Sequence, residues 1–142
     1  MDTSNVITID RHPQESSLLV LRMEDSTGKN TFTDAFVGRL SEALTGVSKD
    51  SSAKAVLLTG LPDVFCAGAA KESLLALCEG ELEVKDLVLS ELMLQVPVPT
   101  IAAMEGAALG GGFVLALCCD MLLMNEKRMY GANFTNMGFT PG

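Results

Sequence analysis

Two glycine-containing turns carry the backbone groups best suited to chemistry in this chain. They span residues 65–69 (FCAGA) and 108–112 (ALGGG). Glycine allows turns closed to other residues and lets a ligand approach the backbone closely. When such a turn leads into a helix, it presents free N–H groups. These groups can bind a phosphate or stabilise a negative charge that develops during a reaction.

The glycine spacing does not match a nucleotide-binding motif. No Lys-Ser/Thr pair completes a P-loop, and in a dinucleotide motif starting at Gly110 the third glycine is replaced by Leu115. The two turns instead each follow a short apolar segment, 55–59 and 100–104, that is typical of a buried strand. If these strands are parallel, both turns emerge at one sheet edge, and two N–H groups could form an oxyanion hole. The alternative interpretation is two tight turns that only pack helices on strands.

The elements that must position these turns alternate between strands and helices. Thr33 is a suitable N-cap for the first helix, and Pro97 and Pro99 end a later one. The predicted strands are 5–11, 17–23, 55–59, 100–104 and a buried 121–124, and the predicted helices are 33–47, 71–77, 83–94 and 113–119. This order predicts one α/β domain over residues 1–142. The ending Thr-Pro-Gly resembles the middle of a turn, so we expect a C-terminal part to be missing.

Composition excludes several classes of function. A net charge of −8 and a pI near 4.5 argue against binding to nucleic acid or anionic membranes. The 14 uncharged residues from 106 to 119 are too few for a membrane-spanning helix, so a soluble protein is expected. Four cysteines without C-x-x-C spacing favour reduced thiols in the cytoplasm. With His12 as the only histidine, we expect neither a metal site nor a cofactor.

Three segments together resemble the enoyl-CoA hydratase/isomerase, or crotonase, superfamily. They are FCAGAA (65–70), PTIAAMEGAALGGGF (99–113) and NMGFTPG (136–142), and the resemblance covers about residues 18–142. It implies a β/α spiral of repeated ββα units, lacking here its C-terminal helical part. It also implies binding of acyl thioesters and assembly into trimers or hexamers.

The resemblance also implies a set of site residues. Peptide N–H groups of Ala69 and Gly111 would polarise the thioester carbonyl, with Phe65 and Gly110 near the substrate. Hydratases of the family use two glutamates to activate water, and at the matching positions this chain has Val114 and Phe134. Because neither side chain can move a proton, simple water addition is not expected, and both residues would instead line an apolar substrate pocket.

Lys71 lies beside the first turn and offers a charge in place of the glutamates. It is either a solvated surface lysine or a group that orients a carboxylate or supplies a proton. A lysine at a helix N-terminus faces the positive end of the helix dipole, and this unfavourable position suggests an anionic partner. With both glutamates missing, AGAAKE and NFTNMGFTPG resemble the lyases that decarboxylate 3-methylglutaconyl thioesters on an acyl carrier protein in polyketide β-branching. The alternatives are a hydratase or isomerase acting on an acyl-CoA, and a thioester-binding subunit without catalytic activity.

Overall fold

The computed structural model describes residues 6–78 and 86–138. Two antiparallel strands open the chain, and helices then alternate with strands. In chain order the elements are β1 (Ile7–His12), β2 (Glu15–Met23), β3 (Thr31–Phe32), α1 (Asp34–Lys49), β4 (Ala55–Thr59), β5 (Val64–Cys66), β6 (Gly68–Ala69), α2 (Lys71–Cys78), α3 (Asp86–Leu94), β7 (Thr100–Met104), β8 (Ala107–Leu109), α4 (Gly111–Leu117), β9 (Met121–Met124) and β10 (Tyr130–Gly131). A 3₁₀ turn, Phe134–Met137, follows.

Over the described residues, the strands form one large sheet and two small ones. The large sheet has the order β1-β2-β4-β7-β9, in which β1 pairs antiparallel with β2 and every later pair is parallel. The small sheets are β10-β8-β5 and β3-β6, both parallel. The chain therefore places a strand in the large sheet, then one or two in a small sheet, then a helix, and repeats. This is the spiral of ββα units that the resemblance implied, and the prediction is confirmed.

Helix α1 covers one face of the large sheet. Thr33 Oγ1 accepts a hydrogen bond from the N–H of Phe36 at 3.2 Å, as predicted for the N-cap. The helix ends at Lys49, two residues beyond the prediction. Its buried side chains recur every three or four residues: Phe36, Leu40, Ala43, Leu44 and Val47. They pack with sheet residues such as Leu21, Leu58 and Met104 into one core.

Two predictions about the second half of the chain were wrong. Strand β9 forms, but it is not buried, because it is the last strand of the large sheet: Met121 is 53% exposed and Leu123 60% exposed. The last full helix begins at Gly111 and ends at Leu117, so Cys118 and Cys119 follow it rather than lie in it. The reason for the early start is that the Gly110 carbonyl already accepts the N–H groups of residues 113 and 114.

The helix predicted over 83–94 is described from Asp86, and its first residues lie outside the described part. In this helix Leu89 and Met93 are buried, while Val88 and Leu94 are 48% and 69% exposed. Among the helices of the described residues, none is both long and apolar enough to cross a membrane.

Candidate active site

The two glycine-containing turns meet at one edge of the fold. Gly68 has a φ of +80°, and a Cβ atom placed on it would lie 2.7 Å from the carbonyl oxygen of Leu109 and 3.1 Å from the nitrogen of Gly111. A side chain would clash there, so only glycine permits this approach and this backbone conformation. The prediction that both turns share one edge is confirmed.

The parallel strand pairs explain why the turns converge. Strands β4 and β7 are neighbours, and so are β5 and β8, with Cys66 opposite Ala108. The first residues of the two turns therefore occupy matching positions on adjacent strands. At Gly112 a Cβ would lie 2.7 Å from Cys66 Sγ, so the first turn of α4 packs directly on β5.

The backbone of the second turn leaves Gly111 available to a ligand. Gly110, with a φ of +53°, donates its N–H to the carbonyl of Gly131 at 2.8 Å. Its own carbonyl accepts the N–H groups of Phe113 and Val114, each at 3.1 Å. Within residues 6–78 and 86–138, no backbone or side-chain acceptor takes the N–H of Gly111, which is half-buried. This is the free donor expected in the first turn of a helix.

The other predicted donor, Ala69, belongs to β6. It is half-buried and lies opposite Phe32 in the parallel pairing of β3 with β6. Because its neighbour Gly68 contacts the second turn, the structure brings Ala69 and Gly111 into the same small region. Lys71 is the first residue of α2. The placement of its side chain lies outside the described part, so its role stays a prediction.

The residues that replace the two glutamates lie beside the second turn and not on it. Val114 is half-buried in α4, and Phe134 is 8% exposed at the start of the 3₁₀ turn. A Cβ on Gly110 would lie 3.9 Å from Cε1 of Phe134, so the aromatic ring lies beside this turn. The side chain of Phe65 is fully buried in the hydrophobic core. It therefore supports the first turn from within, and its contact with a substrate stays a prediction.

The two turns and the residues that flank them carry no charged side chain over 65–70 and 106–119. The described residues hold no group of three His, Cys, Asp or Glu side chains that could bind a metal. The nearby carboxyl of Asp63 belongs to the surface, where Lys29 donates to it at 3.2 Å and keeps its pKa below the usual range. The arrangement can thus stabilise a negative oxygen but offers no carboxylate in these turns to activate water.

Sequence reasoning missed Asn30, which ends the polar segment 24–30 between two predicted elements. Its side chain is completely buried and donates to the carbonyl of Phe65 at 2.8 Å, at the start of the first turn. The only signal was the residue type, since asparagine tolerates left-handed backbone conformations better than most residues.

Comparison with known proteins agrees with this geometry. A family model for enoyl-CoA hydratase/isomerase matches residues 13–142. The bacillaene synthase decarboxylase PksI of Bacillus subtilis is 38% identical over 128 residues, which cover 90% of this chain and 51% of that protein. The chain thus spans about half the length of this relative.

Solved structures of polyketide enzymes share the fold. A structure from a dehydratase/decarboxylase enzyme couple involved in polyketide β-branching has a TM-score of 0.90 and 36% identity, covering 97% of this chain and 58% of that one. The ECH2 decarboxylase domain of CurF from Lyngbya majuscula has a TM-score of 0.87 and 34% identity, covering 96% and 54%. The match over residues 13–142 and the agreement in fold show that this chain belongs to the enoyl-CoA hydratase/isomerase family.

Proposed function

We propose that this protein decarboxylates a 3-methylglutaconyl-type thioester on an acyl carrier protein, as a step of polyketide β-branch formation. One observation carries the proposal: Gly68 holds two N–H-bearing turns in contact, and neither turn contains a carboxylate. The similarity to decarboxylases of polyketide pathways supports the same reaction.

In the proposed reaction the bond between the γ-carbon and the carboxylate breaks and CO₂ leaves. The electron pair enters a dienolate whose negative charge lies largely on the thioester oxygen. The N–H groups of Ala69 and Gly111 hydrogen-bond that oxygen. Such donors stabilise the transition state more than the substrate, and the loss of one typically lowers kcat by about 10²–10³-fold. Protonation of the dienolate then gives a 3-methylcrotonyl-type thioester.

This reaction explains why the glutamate positions can be apolar. Decarboxylation needs no base to begin, whereas hydration needs a group that activates water. In the proposed reaction, Val114 and Phe134 surround the substrate with apolar side chains. An apolar surrounding favours the delocalised dienolate over the localised charge of a carboxylate.

Lys71 is assigned one of two roles, and two variants distinguish them. It either orients the departing carboxylate or delivers the proton to the dienolate. Lys71→Ala should lower kcat under both roles. Lys71→Arg should restore activity if the residue only orients a carboxylate, because arginine keeps the charge but does not release a proton. An unchanged rate in Lys71→Ala would remove this residue from the mechanism.

The carrier protein is assigned to the face that bears Lys127 and Arg128, an adjacent and exposed basic pair. Arg128 Nη2 donates to the carbonyl of Pro62 at 3.1 Å, which ties this pair to the loop before β5. Carrier proteins are usually acidic, so charge reversal at both positions should raise KM for the carrier-bound substrate and leave KM for the CoA ester unchanged. Equal effects on both substrates would refute this docking face. The trimeric or hexameric assembly remains part of the proposal, to be tested by sedimentation.

The experiment that tests the function compares two substrates. The purified protein should release CO₂ from the 3-methylglutaconyl thioester and should not add water to a crotonyl thioester. The second candidate is a hydratase or isomerase acting on an acyl-CoA, which the matched family model favours by its description. Hydration of the crotonyl thioester at a comparable rate would support that candidate instead.

A further inference from the structure

The segment that joins β2 to β3 adopts an unusual backbone conformation beside the first turn. Lys29 and Asn30 have φ angles of 55° and 53°, two consecutive non-glycine residues in the left-handed region. This conformation is unfavourable for residues with a Cβ atom and persists only where surrounding contacts enforce it. At Asn30 those contacts are unusually complete.

The side chain of Asn30 makes three hydrogen bonds inside the core, which use both amide hydrogens and the amide oxygen. It is 0% exposed. Its Nδ2 donates to the carbonyls of Met23 at 3.0 Å and Phe65 at 2.8 Å, and its Oδ1 accepts the N–H of Asp25 at 2.8 Å. Asn30 therefore joins the end of β2 to β5 with both amide hydrogens, and no polar atom of the amide is left unpaired.

The backbone of the same segment holds the rest of the first turn. Cys66 Sγ donates to the carbonyl of Asn30 at 2.9 Å, and the N–H of Ala67 donates to the carbonyl of Lys29 at 3.2 Å. Strand β3 then pairs with β6, which contains Ala69. Four consecutive residues of one segment thus contact the first turn along its length.

We propose that Asn30 is a positioning residue for the reaction, and this inference rests on the proposed function. Its amide determines where the Phe65 carbonyl lies and, through the turn that follows, where the Ala69 N–H lies relative to the Gly111 N–H. The same strand reaches the second turn directly, because Cys66 packs against Gly112. Loss of the amide lets the first turn shift while the second turn keeps its place.

Three variants test this role against a general loss of stability. Asn30→Gly keeps the backbone conformation and removes the amide, while Asn30→Asp keeps an acceptor and removes both donors. Each should lower kcat by about 10- to 100-fold with little change in KM, because a displaced donor fails mainly in the transition state. Asn125→Gly is the matched control, since its amide also bonds backbone groups but lies in another loop. It should keep the kcat of the wild type.

A spectroscopic measurement separates positioning from stability. The infrared frequency of a ¹³C-labelled thioester carbonyl should fall on binding to the wild type, because two donors polarise it, and should fall much less in Asn30→Gly. Val47→Ala is the comparison variant, because it should destabilise the core at the end of α1 without removing a contact of either turn. If Asn30→Gly shows the carbonyl frequency and kcat of the wild type, or if Val47→Ala loses both equally, the positioning role is wrong.

The same measurement keeps the two proposals apart. A wild-type protein that shifts the carbonyl frequency but releases no CO₂ would refute the decarboxylase function, and the Asn30 variants would still decide the positioning role. A wild-type protein that leaves the carbonyl frequency unchanged would overturn both proposals.

Discussion

Gly68→Ala tests the contact between the two turns directly. The new Cβ would lie 2.7 Å from the Leu109 carbonyl oxygen, and ordinary contact begins at 3.4 Å, so the turns must separate by about 0.7 Å. Alanine at a φ of +80° also costs about 1–2 kcal/mol, and overpacking about 1–3 kcal/mol more. We therefore expect the free energy of unfolding to fall by about 2–5 kcal/mol.

The activity of the same variant should fall further than its stability explains. A displacement approaching 1 Å between groups that act on one atom can reduce a rate by about 10²-fold, so kcat should fall by about 10- to 100-fold in the folded fraction. Urea unfolding measures the stability loss, and steady-state CO₂ release at a temperature where the variant is folded measures kcat.

Gly138→Ala separates backbone strain from the clash. Gly138 has a φ of +85°, and a Cβ placed on it would meet no described atom within 4 Å. It should lose only about 1–2 kcal/mol of stability and keep its kcat. If Gly68→Ala matches Gly138→Ala in both stability and kcat, then neither the stability of the protein nor its activity depends on the close contact of the two turns at Gly68.

Three further predictions concern α4 and the residues after it. Val114→Glu should slow decarboxylation, because the introduced carboxylate would repel the negative charge of the dienolate. The rate of CO₂ release measures this effect. Burial raises the pKa of the Cys119 thiol to about 12, so at pH 8 iodoacetamide should modify the half-buried Cys118 well before Cys119, as fragment mass spectra would show. The N–H and hydroxyl of Thr100 bond the Asp120 carboxylate and lower its pKa below 3.8. This carboxylate therefore stabilises the fold above pH 3.8 and loses that effect as pH falls further, so Asp120→Asn should lower Tm at pH 7 and weaken its acid dependence below pH 4.

Elements with a clear local pattern could be predicted from the sequence. Helix α1 has an apolar stripe and a threonine cap, and the segment 5–11 alternates apolar and polar residues, so α1 and β1 were both confirmed within a few positions. The small sheets contain strands of only two or three residues, such as β6, and these are too short to show a periodicity. The exposure of β9 depends on its place at the end of the sheet, which no local pattern encodes.

The part of the candidate site that is built from glycines could be predicted, because glycine positions indicate where the backbone makes tight turns. The meeting of the two turns followed from glycines on neighbouring strands, and Gly68 and Gly110 both have positive φ angles. Asn30 could not be found in this way, because its role depends on a carbonyl 35 residues away. The burial of Phe65 was missed for a similar reason, since core packing around β5 involves distant elements.

The proposed reaction requires the two turns to stabilise a dienolate left by departing CO₂. Its most direct test is to incubate the protein with a 3-methylglutaconyl thioester on an acyl carrier protein in D₂O and to analyse the acyl group by mass spectrometry. We expect one CO₂ to be released and one deuterium to be gained on carbon per product. An acyl group that keeps its carboxylate and gains one water would contradict this expectation.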